Sequence, residues 1–125
     1  MKIATNIAGG LLGFLFTAFS LIVLLNLVTP PPPPEGSLVD YFMKSFVPSR
    51  WMTMVKLFEL LGGILVAIPK TRNFGLLILG PIVINIAAFH LLVEKADFIG
   101  IPLFLAILAA FLLWAERRAF LGLLH

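Results

Sequence analysis

The chain has 125 residues, of which 61% are hydrophobic and 12% charged, with a mean hydropathy of +1.11. Soluble domains run at roughly 45–50% apolar and about 25% charged residues, so this chain has too little polar surface to cover a core in water. The composition marks an integral membrane protein and excludes a soluble enzyme or a disordered regulator, and the absence of cysteine excludes thiol catalysis, Cys-ligated zinc and disulfides of its own.

A bilayer core about 30 Å thick needs around 20 apolar residues in helical form. Residues 7–28 carry no charge and reach roughly 33 Å as a helix, too long for the apolar part of a signal peptide. Residues 29–50 form the one long link. It opens with the proline run 30–34, a stiff spacer of about 3.1 Å per residue. Ser37-Leu38-Val39-Asp40 then has a capping-box-like form, with Leu38, Phe42 and Phe46 following at four-residue spacing. This predicts a short amphipathic helix over 37–46 on the outer surface, its Leu38, Phe42 and Phe46 stripe buried against the bundle or the headgroups.

Residues 51–68 reach about 27 Å and contain Lys56 and Glu59. A tight basic turn, 69–73, leads into residues 74–93, about 30 Å long, with Asn85 and His90. Gly80-Pro81 should bend this segment, because proline removes one helical hydrogen bond. A short link over 94–98 precedes residues 99–115, about 25 Å long and wholly apolar, with Pro102 near the start, where a missing N–H costs little. No strand alternation is present. The expected fold is therefore all-α: one membrane domain, residues 1–125, built as a four-span up-down bundle with a short interfacial helix between the first and second spans.

An even number of spans puts both termini on one side, with Lys2, Lys70, Arg72, Arg117 and Arg118. The other side holds Lys44, Arg50 and Lys95 beside Glu35, Asp40, Glu94 and Asp97. This asymmetry predicts cytoplasmic termini, and it reads the basic excess as a determinant of orientation, with no nucleic-acid partner. Trp51 and Trp114, at opposite span ends, suit aromatic belts.

Helices in lipid associate through close packing and polar contacts. The first helix offers Gly9, Gly13, Thr17 and Ser20 as a small-residue stripe; Gly62 and Gly63 in the second span, and Ala106 and Ala110 in the fourth, suit the same purpose. The ionisable residues are the most informative, since a charge at the bilayer centre costs about 2.5–3.5 kcal/mol or more. Lys56 and Glu59, three apart, share one helix face and can pair. Depth places Glu59 level with Asn85, Lys56 near His90, and Asn26 in the same layer, which suggests one polar pocket open toward the outside. Asn85 and His90 lie about 140° apart on an ideal helix, so Asn85 is the one expected to join Lys56 and Glu59. The same residues also admit a plain structural role: a Lys–Glu pair that neutralises itself, and an interfacial His. No phosphate loop, HExxH, EF-hand or paired-histidine haem pattern occurs, and no metal ligand set is visible.

The stretch from Val55 to Arg118 resembles the DoxX-like family of small four-helix membrane proteins. Lys56 followed by Glu59-Leu60-Leu61-Gly62-Gly63-Ile64-Leu65 is similar to that family's E-x-x-G-G-x-L segment. Pro81-Ile82-Val83-Ile84-Asn85-Ile86 with Phe89-His90 is similar to the P-x-V-x-N-I-x-x-F-H stretch of one branch. The resemblance implies a four-helix membrane bundle, with Glu59, Gly62, Gly63, Asn85 and His90 as motif positions. It also implies company: a bacterial inner membrane, and complexes that in some relatives handle quinones or oxidative stress.

The leading expectation is a non-enzymatic membrane subunit or accessory of a larger, quinone-linked redox complex, with other membrane subunits or further copies of itself as partners. The alternative is a binding or transport protein whose Lys56, Glu59 and Asn85 layer holds a small polar, quinone-like or lipid ligand. A stand-alone oxidoreductase is weakest, because no cofactor ligand set is visible and no residue here does redox chemistry unaided.

Overall fold

The computed structural model describes residues 2–29, 31–94 and 100–122. The described residues are all-helical in class, with 83% of them in helices and no strand among them. Among the described residues six α-helices follow one another: α1 (Lys2–Leu24), α2 (Leu38–Phe46), α3 (Trp51–Ala67), α4 (Arg72–Ala88), α5 (Ile101–Ala115) and α6 (Arg117–Leu121). A 3-10 turn over Pro69–Thr71 leads into α4, and a wider π-helical turn over Phe89–Val93 extends it. Among the described residues two helices are long and apolar enough to cross a membrane, Lys2–Leu24 and the continuous run Pro69–Val93. At 17 and 15 residues, α3 and α5 are shorter. The expected start of the last span at Ile99, and the expected link beyond Glu94, lie outside the described residues.

Two boundaries differ from expectation, and each has a local cause. Helix α1 begins at Lys2, five residues earlier than the apolar run, because a charged residue is no obstacle at a helix end. It stops at Leu24 rather than Val28. Asn26 there adopts φ 54°, the left-handed region that asparagine tolerates better than most residues. Its N–H donates to Val23 O at 3.2 Å and that of Leu27 to Ile22 O at 3.0 Å, the paired bonds of a Schellman stop. Asn26, expected in the polar pocket, is therefore an exposed helix terminator.

The capping signal before α2 folds as its chemistry dictates. Ser37 Oγ accepts the Asp40 N–H at 3.1 Å, and the Asp40 carboxylate accepts the Gly36 N–H at 3.0 Å and binds Lys44 Nζ at 3.0 Å. The buried side of the helix is rotated from the expected one. Leu38 is 51% exposed, whereas Phe42, Met43 and Phe46 pack inward.

The bundle rests on small residues. A Cβ on Gly13 would stand 2.5 Å from Gly63 O and 2.7 Å from Ala67 Cβ, and one on Gly63 would stand 2.9 Å from Thr17 Oγ1. Along α1 the contacts advance as they retreat along α3, so the two helices are antiparallel with their backbones nearly touching. Gly62 and Gly75 do the same for α3 and α4, against Leu79 and Val66 respectively. Helix α5 closes the core with Leu105, Ala109 and Leu112, a stripe at helical spacing. That stripe turns Ala110 outward, so the expected Ala106 and Ala110 contact is replaced by Ala109. Helix α4 passes through Pro81 without interruption.

Candidate functional site

Arg72 and an aromatic-lined cavity mark opposite ends of the molecule, and each gathers polar groups for a different reason. Arg72 is only 4% exposed. Its Nε donates to Val66 O at 3.0 Å and its Nη1 to Asn6 Oδ1 at 3.0 Å. Gly9 makes room for it: a Cβ there would collide with the guanidinium. Val66 O is one of the last carbonyls of α3 and has no intrahelical donor, so the arginine closes that helix end while joining α1 to it. In the sequence Arg72 reads as one more basic residue in a turn. The signal available was Gly9 and Asn6 at three-residue spacing on α1, a gap beside an acceptor.

At the other end, α1, α2, α3, α4 and α5 surround a cavity of about 620 Å³. Phe16 and Phe19 line it from α1; Phe42, Met43 and Phe46 from α2; Trp51, Lys56 and Glu59 from α3. Ile82, Asn85, Ile86, Phe89, His90 and Val93 line it from α4 and its π turn. The aromatic rings form a continuous rim. Phe42 lies 4.5 Å from Phe46 and 4.7 Å from Phe89, and Phe46 stacks at 5.5 Å on Trp51.

Lys56 Nζ binds Glu59 Oε2 at 2.8 Å, within one turn of α3. The two are unequally accessible, the lysine side chain 20% exposed and the glutamate 4%. Glu59 is thus an interior carboxylate with its cation above it, as the three-residue spacing predicts. Asn85 lines the same cavity but is exposed, and its Nδ2 donates to Pro81 O at 3.0 Å on its own helix. Among the described residues it makes no hydrogen bond to Lys56 or Glu59. His90 places Nδ1 2.8 Å from Ile86 O and Nε2 3.3 Å from Glu94 Oε1.

The angular conflict between Asn85 and His90 resolves simply. Ile82, Ile86, Phe89 and Val93 form the centre of the lining stripe, and on an ideal helix the two polar residues flank it at roughly 70° to either side. A cavity this wide reaches both. Asn26 is not part of its wall. Ser20 Oγ, expected only as a packing atom, is buried without a hydrogen-bond partner among the described residues. The aromatic rim went unanticipated as a unit, because Trp51 and the Phe residues of α2 read separately as membrane-belt features.

Among the described residues no cluster of three His, Asp or Glu is placed to hold a metal ion. No protein-family model, curated protein or solved structure matches the chain.

Proposed function

We propose that this chain is an integral membrane protein that binds a small, largely apolar molecule in the aromatic cavity at its outer end. The observation that carries the reading is a cavity of about 620 Å³ walled by aromatic side chains with the Lys56–Glu59 pair set into it. Ligand sites are typically concave, mostly apolar, about 300–1,000 Å³ in volume and furnished with a few polar groups that fix orientation. An ion pair kept inside an apolar bundle is costly, which favours a use for it beyond packing.

The spans are α1, α3, α4 with its π turn, and α5. Helices α3 and α5, about 25 and 22 Å long, pack against the two long helices and so share their slab, with local thinning of the bilayer to match. Both termini face the cytoplasm. With Arg72 buried, the orienting charges are Lys2, Lys70, Arg117 and Arg118 against Lys44, Arg50 and Lys95. The likeness of Glu59, Gly62, Gly63, Asn85 and His90 to DoxX-like motif positions supports the same reading, since three of these residues line the cavity and two bring its walls together. A bacterial inner membrane is the expected setting. A partner complex, quinone-linked or otherwise, then acts as donor or acceptor of the bound molecule.

Native mass spectrometry of the protein released from detergent tests this. The wild type should carry an added small-molecule mass that Ala88→Trp, which fills the cavity, lacks. A bare wild type, or the same adduct on both proteins, overturns the proposal.

A further inference from the structure

We infer that the cavity selects a neutral, flat, mostly apolar molecule carrying a hydrogen-bond acceptor, and discriminates against ions of either sign. This rests on the reading of the cavity as a ligand site. The order of the ion pair carries the inference. Lys56 is the accessible member and Glu59 lies almost wholly covered beneath it, 2.8 Å away. A cationic ligand would meet the ammonium first and have no route to the carboxylate. An anionic ligand would meet an ammonium already neutralised by Glu59, so it would lose its hydration without gaining a net countercharge. A neutral acceptor suffers neither penalty. The ammonium has three N–H groups, one engaged by Glu59, which leaves two to donate.

The other polar groups of the wall do not alter that balance. Asn85 has one amide N–H engaged on Pro81 O, and His90 has Nδ1 at Ile86 O and Nε2 at the Glu94 carboxylate. Asp40, in the first turn of α2 and outside the wall, is held by Lys44 and the Gly36 N–H. Lys56, with two N–H groups left over, is therefore the strongest donor in the wall, and the remaining amide N–H of Asn85 is a neutral one. The rim rings pack on one another at 4.5–5.5 Å between centroids, so they present one continuous aromatic wall, against which a flat partner can lie.

The chain holds two tryptophans, and Trp51 lines the cavity, so Trp114→Phe leaves a single reporter inside the site. Energy transfer from Trp51 is measured in nanodiscs with two probes of similar size. One is prodan, a neutral naphthyl ketone, and the other an anilinonaphthalene sulfonate, an anion. Prodan should show saturable transfer with an apparent Kd at least about tenfold below that of the sulfonate. Glu59→Gln, which uncovers the charge of Lys56, should improve sulfonate binding by about tenfold and so shrink or reverse the ratio. Equal affinities, tighter sulfonate binding in the wild-type site, or a ratio unmoved in a folded Glu59→Gln protein overturns the inference. Should that variant not fold, the wild-type ratio decides. Saturable binding of the sulfonate alone leaves the ligand site standing while refuting its selectivity; saturable binding of neither probe overturns both.

Discussion

Replacing Gly13 with alanine sets one methyl group against the closest backbone approach in the bundle. Its Cβ would stand 2.5 Å from Gly63 O, 2.7 Å from Ala67 Cβ and 2.8 Å from Ala67 N. Ordinary contact begins near 3.4 Å, so α1 must retreat by about 0.9 Å, and none of the opposing atoms is the end of a flexible chain. A gap of roughly 0.5–1 Å forfeits a quarter to a half of each dispersion contact across an interface. Overpacking of this kind costs about 1–3 kcal/mol. Alanine also favours helix over glycine by about 1 kcal/mol, which would mask part of the loss. Gly10 supplies the control: it lies three residues away in α1, and a Cβ there meets nothing within 4 Å. The propensity gain is common to both variants and cancels between them. Gly13→Ala should therefore be less stable than Gly10→Ala by about 1–3 kcal/mol, measured by reversible SDS unfolding in mixed micelles followed by circular dichroism. Gly13→Ala matching or exceeding Gly10→Ala in stability would refute the backbone contact between α1 and α3.

Three further outcomes are expected. Arg72→Lys keeps the charge but cannot reach both Val66 O and Asn6 in one planar fork, and should lower stability by about 1–3 kcal/mol in the same unfolding assay; wild-type stability would count against the bridge. The Gly36 N–H and then Lys44 hold the Asp40 carboxyl below its ordinary value of 3.8, so its support for α2 is present above that value and is lost as the pH falls through the lower folded one. The Gly36 amide proton, followed by NMR, should titrate with a midpoint under 3.8, and a midpoint at or above it contradicts the bond. In intact cells, an impermeant thiol reagent should label Tyr41→Cys and spare Lys70→Cys, both exposed positions in a chain without native cysteine; the reverse pattern inverts the topology.

Local chemistry was legible wherever a signal and its answer lie within a turn or two. Ser37 and Asp40 announce the start of α2 because a cap needs only neighbouring N–H groups, and Lys56 with Glu59 announces a pair because one helix face holds both. The small-residue stripe on α1 likewise points to a close neighbour, although it does not say that Gly9 faces a guanidinium while Gly13 faces a helix backbone. What escaped depends on rotation and on distant partners. A nearly uniform apolar helix such as α5 hides its phase, so Ala109 and Ala110 are indistinguishable before packing selects one. Asn26 shows the other limit. Its depth fitted the polar layer, but a residue just past a helix end answers first to backbone conformation, and there asparagine serves as a stop. Arg72 escaped because a basic residue in a turn ordinarily seeks solvent, and nothing nearby in sequence reveals that its acceptors include Asn6.

The Arg72 bridge also sets an order of assembly. Its two ends, Asn6 and Arg72, are 66 residues apart in the chain. At synthesis rates of about 5–20 residues per second, roughly 3–13 s separate the emergence of the notch at Gly9 from that of the side chain that fills it. Through that interval α1 has an unfilled groove and an amide awaiting its donor, so its final seat cannot be taken as it emerges. Helix α1 is thus fastened at this end only after α3 and the start of α4 have been made. A chain that ends before residue 72 leaves open a seam that the longer chain seals with a cation.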